Sequence, residues 1–99
     1  MPKLEIIVTP TAETDICSIF DYITKDSILS ANQLLNIFED KFALLSEFPQ
    51  SGFSCEKFLK RSVRCLIVAK HYQIFYKEKN GILYILRVLT GYQDINCIL

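Results

Sequence analysis

The usual reactive sets are thin in this chain. There is one histidine, His71, and there are four cysteines, Cys17, Cys55, Cys65 and Cys97, with no CxxC pair among them. That spacing offers no zinc site and reads as ordinary reduced thiols, not as a secreted disulfide scaffold. No metal or cofactor is expected. The residue that stands out is Arg87. It interrupts Ile82-Leu83-Tyr84-Ile85-Leu86-Arg87-Val88-Leu89-Thr90-Gly91, a strand-like run with apolar residues on both parities. Such a run is buried on both faces and belongs in the middle of a sheet. A lone cation there is costly unless it reaches water, a partner or a ligand. Either the sheet is open at Arg87, or Arg87 has an assigned partner.

Overall charge hides a second source of chemistry. The 99 residues carry 11 cations and 11 acids, yet residues 1–49 hold three cations against eight acids and residues 50–99 hold eight against three. An acidic half is joined to a basic half. If the halves form separate layers, the basic face suits an anionic partner such as nucleic acid or an acidic protein. Hydrophobic content of 51% is high for so small a chain and points to apolar surface that a partner covers. No apolar run approaches the length of a membrane span, and the N-terminus lacks the features of a signal peptide, so the expected location is the cytoplasm.

The elements that position these residues follow from periodicity. Lys3–Val8 is a short β-branched strand. Thr9 can cap a helix with Pro10 at its first position. That helix runs to about Lys25, with Ala12, Ile16, Ile19, Phe20 and Ile23 as its apolar stripe. Glu13 and Asp15 lie near its positive end. After the break at Asp26-Ser27 a longer helix runs from about Ile28 to Phe48, with Ala31, Leu34, Leu35, Phe38, Phe42 and Leu45 inward. Ile37 and Leu44 fall outside that stripe. They either pack on the first helix in an αα-hairpin or mark a groove for another chain's helix. Phe48-Pro49-Gln50-Ser51-Gly52 ends the helix, and the chain to Arg61 reads as irregular. Strands follow at Val63–Val68, Tyr72–Lys77 and 82–90, the last entered through the Asn80-Gly81 hairpin turn. The expectation is a single α+β domain over 1–99. It has two layers in the order β-α-α-β-β-β, with a helical hairpin on one face of a mostly antiparallel sheet. Strict alternation puts Arg64 and Arg87 on the open face with Leu66, Val68, Leu83, Ile85 and Leu89. Ile82, Tyr84, Leu86 and Val88 then face the helices.

These stretches also carry a family resemblance. Ile7-Val8-Thr9-Pro10-Thr11-Ala12-Glu13-Thr14-Asp15-Ile16 with Ile19-Phe20-Asp21-Tyr22-Ile23 resembles the first strand and helix of RelE/ParE-type toxins of bacterial toxin–antitoxin pairs. Phe48-Pro49-Gln50-Ser51-Gly52 is similar to that family's helix-ending loop. Val63-Arg64-Cys65-Leu66, Tyr72-Gln73-Ile74-Phe75-Tyr76 and Ile85-Leu86-Arg87-Val88-Leu89 resemble its closing strands, with Gly91 and Asp94 after them.

The resemblance implies a toxin neutralised by a cognate antitoxin, of ribbon-helix-helix type, whose C-terminal segment wraps around it. It implies one of two activities. RelE-like members cut mRNA on the ribosome, which requires cations against the developing phosphate charge and groups that move protons. The residues that match that set are Lys57, Lys60, Arg64, Arg87 and Tyr92, with Tyr92 out of register. ParE-like members are not enzymes and inhibit DNA gyrase. A protein working inside ribosomal RNA should be strongly basic. This chain is neutral with a pI near 6.5, its tail is short and apolar, and its Arg87–Gly91 ending looks more like ParE. The expected function is therefore gyrase inhibition, with Arg64, Arg87, Lys60 and Arg61 facing the target and Ile37, Leu44 and Phe48 facing the antitoxin. A ribosome-dependent nuclease is the alternative. A plain binding module without toxicity of its own is the third possibility.

Overall fold

The computed structural model describes residues 3–54 and 63–90. The elements are β1 (Glu5–Val8), α1 (Pro10–Thr24), α2 (Ile28–Glu47), β2 (Phe53–Ser54), β3 (Arg64–Val68), β4 (Tyr72–Lys79) and β5 (Ile82–Thr90). The fold is α+β, with two helices packed on a five-stranded mixed sheet of order β1-β5-β4-β3-β2. The short β2 pairs Phe53 with Cys65 and Ser54 with Arg64. Two residues carry too little periodicity to be read from sequence, and the irregular stretch expected there is to that extent corrected.

Both helices start where a side chain can take over a free backbone donor. Thr9 is extended (φ −65°, ψ 156°) and its Oγ1 accepts from Ala12 N at 3.3 Å, with Pro10 following where no N–H is needed. Ser27 caps α2 by accepting from Ser30 N at 3.1 Å. The core between the layers joins Ala12, Leu34, Phe38 and Leu45 to Val68, Ile74, Tyr76, Leu83, Ile85 and Val88. Phe38 stands edge-on to Tyr72, with ring centres 5.5 Å apart.

β5 lies inside the sheet, parallel to β1 and antiparallel to β4. Asn80 and Gly81 turn the β4–β5 hairpin with φ of 53° and 77°, the left-handed pair that a two-residue turn demands. The β4–β5 register then shifts. Tyr76 opposes Ile85 and Phe75 opposes Arg87, so Leu86 has no partner on β4. This is a β-bulge, and it reverses the in–out alternation of everything beyond it. Leu83 and Ile85 face the helices before the bulge and Val88 does so after it.

The strict alternation expected from sequence therefore fails. Ile82, Tyr84 and Leu86 are not the helix-facing set, and Leu83 and Ile85 are not on the open face. On β3, Leu66 and Val68 also pack toward the helices, which puts Arg64, of the same parity, on that side. The other sheet face is no bare surface either. Val63, Cys65, Phe75 and Leu89 form a second buried cluster with Leu86 against it.

Tyr76 fastens the loop after α2 to the sheet. Its hydroxyl donates to Pro49 O at 2.9 Å and accepts from Gly52 N at 2.8 Å, while Arg64 Nη1 donates to Gly52 O at 2.9 Å. Glycine is required at 52, because a Cβ there would lie 2.5 Å from the Tyr76 hydroxyl and 2.6 Å from Cys65 O. Tyr76→Phe should take the hydroxyl from the buried Gly52 N–H and the part-buried Pro49 carbonyl, at a cost of about 1–3 kcal/mol, and lower Tm by roughly 5–15 °C. Thermal unfolding followed by circular dichroism checks this, and Gly52→Ala should be the more damaging change.

Candidate functional site

The cation that the sequence leaves unexplained has a partner. Arg87 donates from Nε to Asp15 Oδ2 at 2.7 Å and from Nη2 to Asp15 Oδ1 at 2.8 Å. The pair is bidentate, the geometry in which a guanidinium holds a carboxylate best. Asp15 Oδ2 also accepts from the backbone N–H of Val88 at 3.1 Å. The two side chains are only 22% and 13% exposed. The hydrogen bonds to Asp15 raise the Arg87 pKa, against the lowering effect of burial, and the carboxylate's charge raises it further. Arg87 is thus fixed as a cation.

Position along the sheet explains why the pair forms there. β1 ends at Val8 opposite Ile85, so among the described residues no strand lies beside the rest of β5 on the side away from β4. α1 starts in that gap. Thr9 N donates to Ile85 O at 3.1 Å, and Thr9 Oγ1 points its hydrogen at Ile85 O (2.9 Å) and Leu86 O (3.2 Å). Thr9 thus satisfies the carbonyls of the bulge, and Asp15 satisfies an N–H just past it. The sequence places Asp15 near the helix's positive end, and nothing in its local pattern marks it as the partner of a residue 72 positions away.

Arg64 is engaged elsewhere. Its contact to Gly52 lies toward β2, whereas Asp15 lies on the side of β1, and the sheet order puts these at opposite flanks. β4 separates the two arginine-bearing strands, so their backbones are roughly 10 Å apart. Arg64 lines a polar pocket of about 190 Å³ with Pro49, Gln50, Ser54, Lys77 and Glu78. Arg87 and Asp15 line another, of about 160 Å³, that shares no residue with it. The two strand arginines therefore do not converge on one ligand. Lys57, Lys60, Arg61 and Tyr92 lie outside the described residues. His71 is exposed at the tip of the β3–β4 loop, away from both arginines. Among the described residues no group of three or more histidine, cysteine or acidic side chains could hold a metal.

The helical layer carries the other candidate surface. Ile37 and Leu44 are each 37% exposed and Phe48 is 57% exposed. The first two stay out of the core cluster that takes in their neighbours Phe38, Phe42 and Leu45. That partial exposure leaves room for the second of the two alternatives, a groove for another chain's helix. On a helix, positions 37, 44 and 48 fall on one line, so the three side chains form an exposed apolar seam along α2. Among the described residues no helix is long and apolar enough to cross a membrane.

Comparison with known proteins places this geometry. No curated protein sequence matches the chain. A solved structure described as the chromosomal ParDE TA system from P. aeruginosa superposes with a TM-score of 0.76, over 93% of this chain and all of that one, at 17% identity. At that identity the likeness is one of fold. The sequence pattern of the family described as "ParE toxin of type II toxin-antitoxin system, parDE" matches residues 6–95, from β1 to beyond β5. With the pattern running through nearly the whole sequence, the chain belongs to the ParE toxin family of type II toxin–antitoxin systems.

Proposed function

We propose that this toxin acts by inhibiting DNA gyrase in the cytoplasm, without catalysing a reaction, and that a cognate antitoxin of ribbon-helix-helix type neutralises it. The observation that carries the choice against RNA cleavage is the divergence of Arg64 and Arg87. A nuclease needs its cations gathered around one phosphate. Here one arginine is committed to Gly52 and the other to Asp15, at opposite flanks of the sheet. The neutral net charge supports the same reading, because ribosomal RNA is held mostly through phosphate contacts. Arg64, with Lys60 and Arg61, is the cationic surface offered to the target. Purified protein should block gyrase supercoiling, and mapping of mRNA ends after induction should reveal no new cleavage sites. New codon-linked ends with unaffected supercoiling would reverse the assignment to the ribosome-dependent nuclease.

The antitoxin is proposed to lay an amphipathic helix along the seam of Ile37, Leu44 and Phe48. An exposed apolar line on a helix is what such a helix recognises through residues at matching spacing. Ile37→Asp combined with Leu44→Asp should weaken antitoxin binding at least tenfold, since each change sets a charge in an apolar contact. Because both residues are already partly in water, the fold should persist. A titration at wild-type affinity, with the circular dichroism unchanged, would remove α2 from the interface.

A further inference from the structure

We infer that Arg87 serves as a positioning residue acting through Asp15, and that it makes no contact with the toxin's target: the pair holds the bulged end of β5 against α1. Three observations carry this. Two guanidinium donors, Nε and Nη2, are already aligned on Asp15, at 2.7 and 2.8 Å. The carboxylate has a second duty, the Val88 N–H at 3.1 Å. It is also only 13% exposed.

Drawing Arg87 away to a target would strand that carboxylate, a mostly buried charge, without its counter-ion. A target contact would have to offset that cost as well as form. Holding the strand carries no such cost. With β1 finished at Val8, Thr9 and Asp15 hold β5 around Leu86, one at the carbonyls and one at the amide. Losing Arg87 removes the guanidinium that faces the Asp15 carboxylate beside Val88, and losing Asp15 removes the carboxylate that Arg87 Nε and Nη2 donate to. Either loss loosens the same joint.

A double-mutant cycle separates the two roles. Wild type, Asp15→Ala, Arg87→Ala and the double variant are compared for gyrase inhibition per folded molecule, at a temperature where circular dichroism finds all four folded. Hydrogen exchange at the Val88 amide is followed in parallel. If Arg87 positions, each single change weakens inhibition by about tenfold, the double is no worse than either single, and Val88 loses protection in all three. Inhibition by Asp15→Ala at or above the wild-type level overturns the inference, because that change removes the carboxylate through which Arg87 would act. Multiplying losses in the double variant overturn it as well. If the alanine variants do not fold, Asp15→Asn takes the place of Asp15→Ala, since it keeps an acceptor for Val88 while removing the charge. The readout rests on the gyrase reading. If wild-type protein leaves supercoiling untouched, that reading fails by itself. The same cycle is then scored by growth arrest at matched soluble expression, with the same non-additive pattern expected.

Discussion

A carboxylate on the first helix must meet a guanidinium at a bulge on the last strand, and much of this fold follows from that constraint. Asp15 can reach Arg87 and Val88 only because α1 begins immediately past the end of β1, in the lane that a longer first strand would have filled. The bulge at Leu86 in turn allows β5 to present Ile85 and then Val88 to the same core while Phe75 and Leu89 fill the other. A regular strand would have put one of those residues on the wrong side. The ion pair is thus tied to the register of a nine-residue strand. It also joins the acidic half of the chain to the basic half at one mostly buried contact.

That arrangement divides the surface. Both faces of the sheet carry buried clusters, so the apolar content expected to need a partner is not concentrated on an open sheet face. Exposed apolar side chains lie on both layers: the seam along α2 with Tyr22, Ile28 and Leu29 on the helical side, and Ile7, Phe53 and Ile67 on strands. The cations of the described sheet are spread out: Arg64 at the β2 side, Arg87 sequestered by Asp15, and Lys77 and Lys79 along β4. A surface so arranged suits recognition of a protein better than a clamp on one phosphate.

Element types and order were legible in the sequence because they rest on local signals. Thr9-Pro10, Ser27, Asn80-Gly81 and the helical stripes mark their own boundaries within a few residues. The inward stripe of α2 is visible in the same way. Facing along β5 was not legible, because a bulge is a property of two strands and leaves no mark in one of them. Partnership of Asp15 and Arg87 was invisible for a similar reason, being set by where α1 leaves the edge of the sheet. The sequence does pose the right alternative for Arg87, an open face or an assigned partner, and the structure answers with the partner. For Ile37 and Leu44 periodicity leaves packing on α1 and a groove both open, and the fold keeps 37% of each in water. Two-residue β2 lies below what any periodicity can report.

β1 carries a consequence for how the protein comes into being. The strand pairs in parallel with β5, Glu5 beside Ile82 and Val8 beside Ile85, so among the described residues its neighbour in the sheet is the strand made after all the others. Domains emerge from the ribosome N-terminal end first, and contacts between chain ends are the slowest to close. Until β5 has left the exit tunnel, β1 has no strand to pair with, and Asp15 is an acid waiting for its base. A truncated or interrupted translation product would hold a helical hairpin without the strand that organises it.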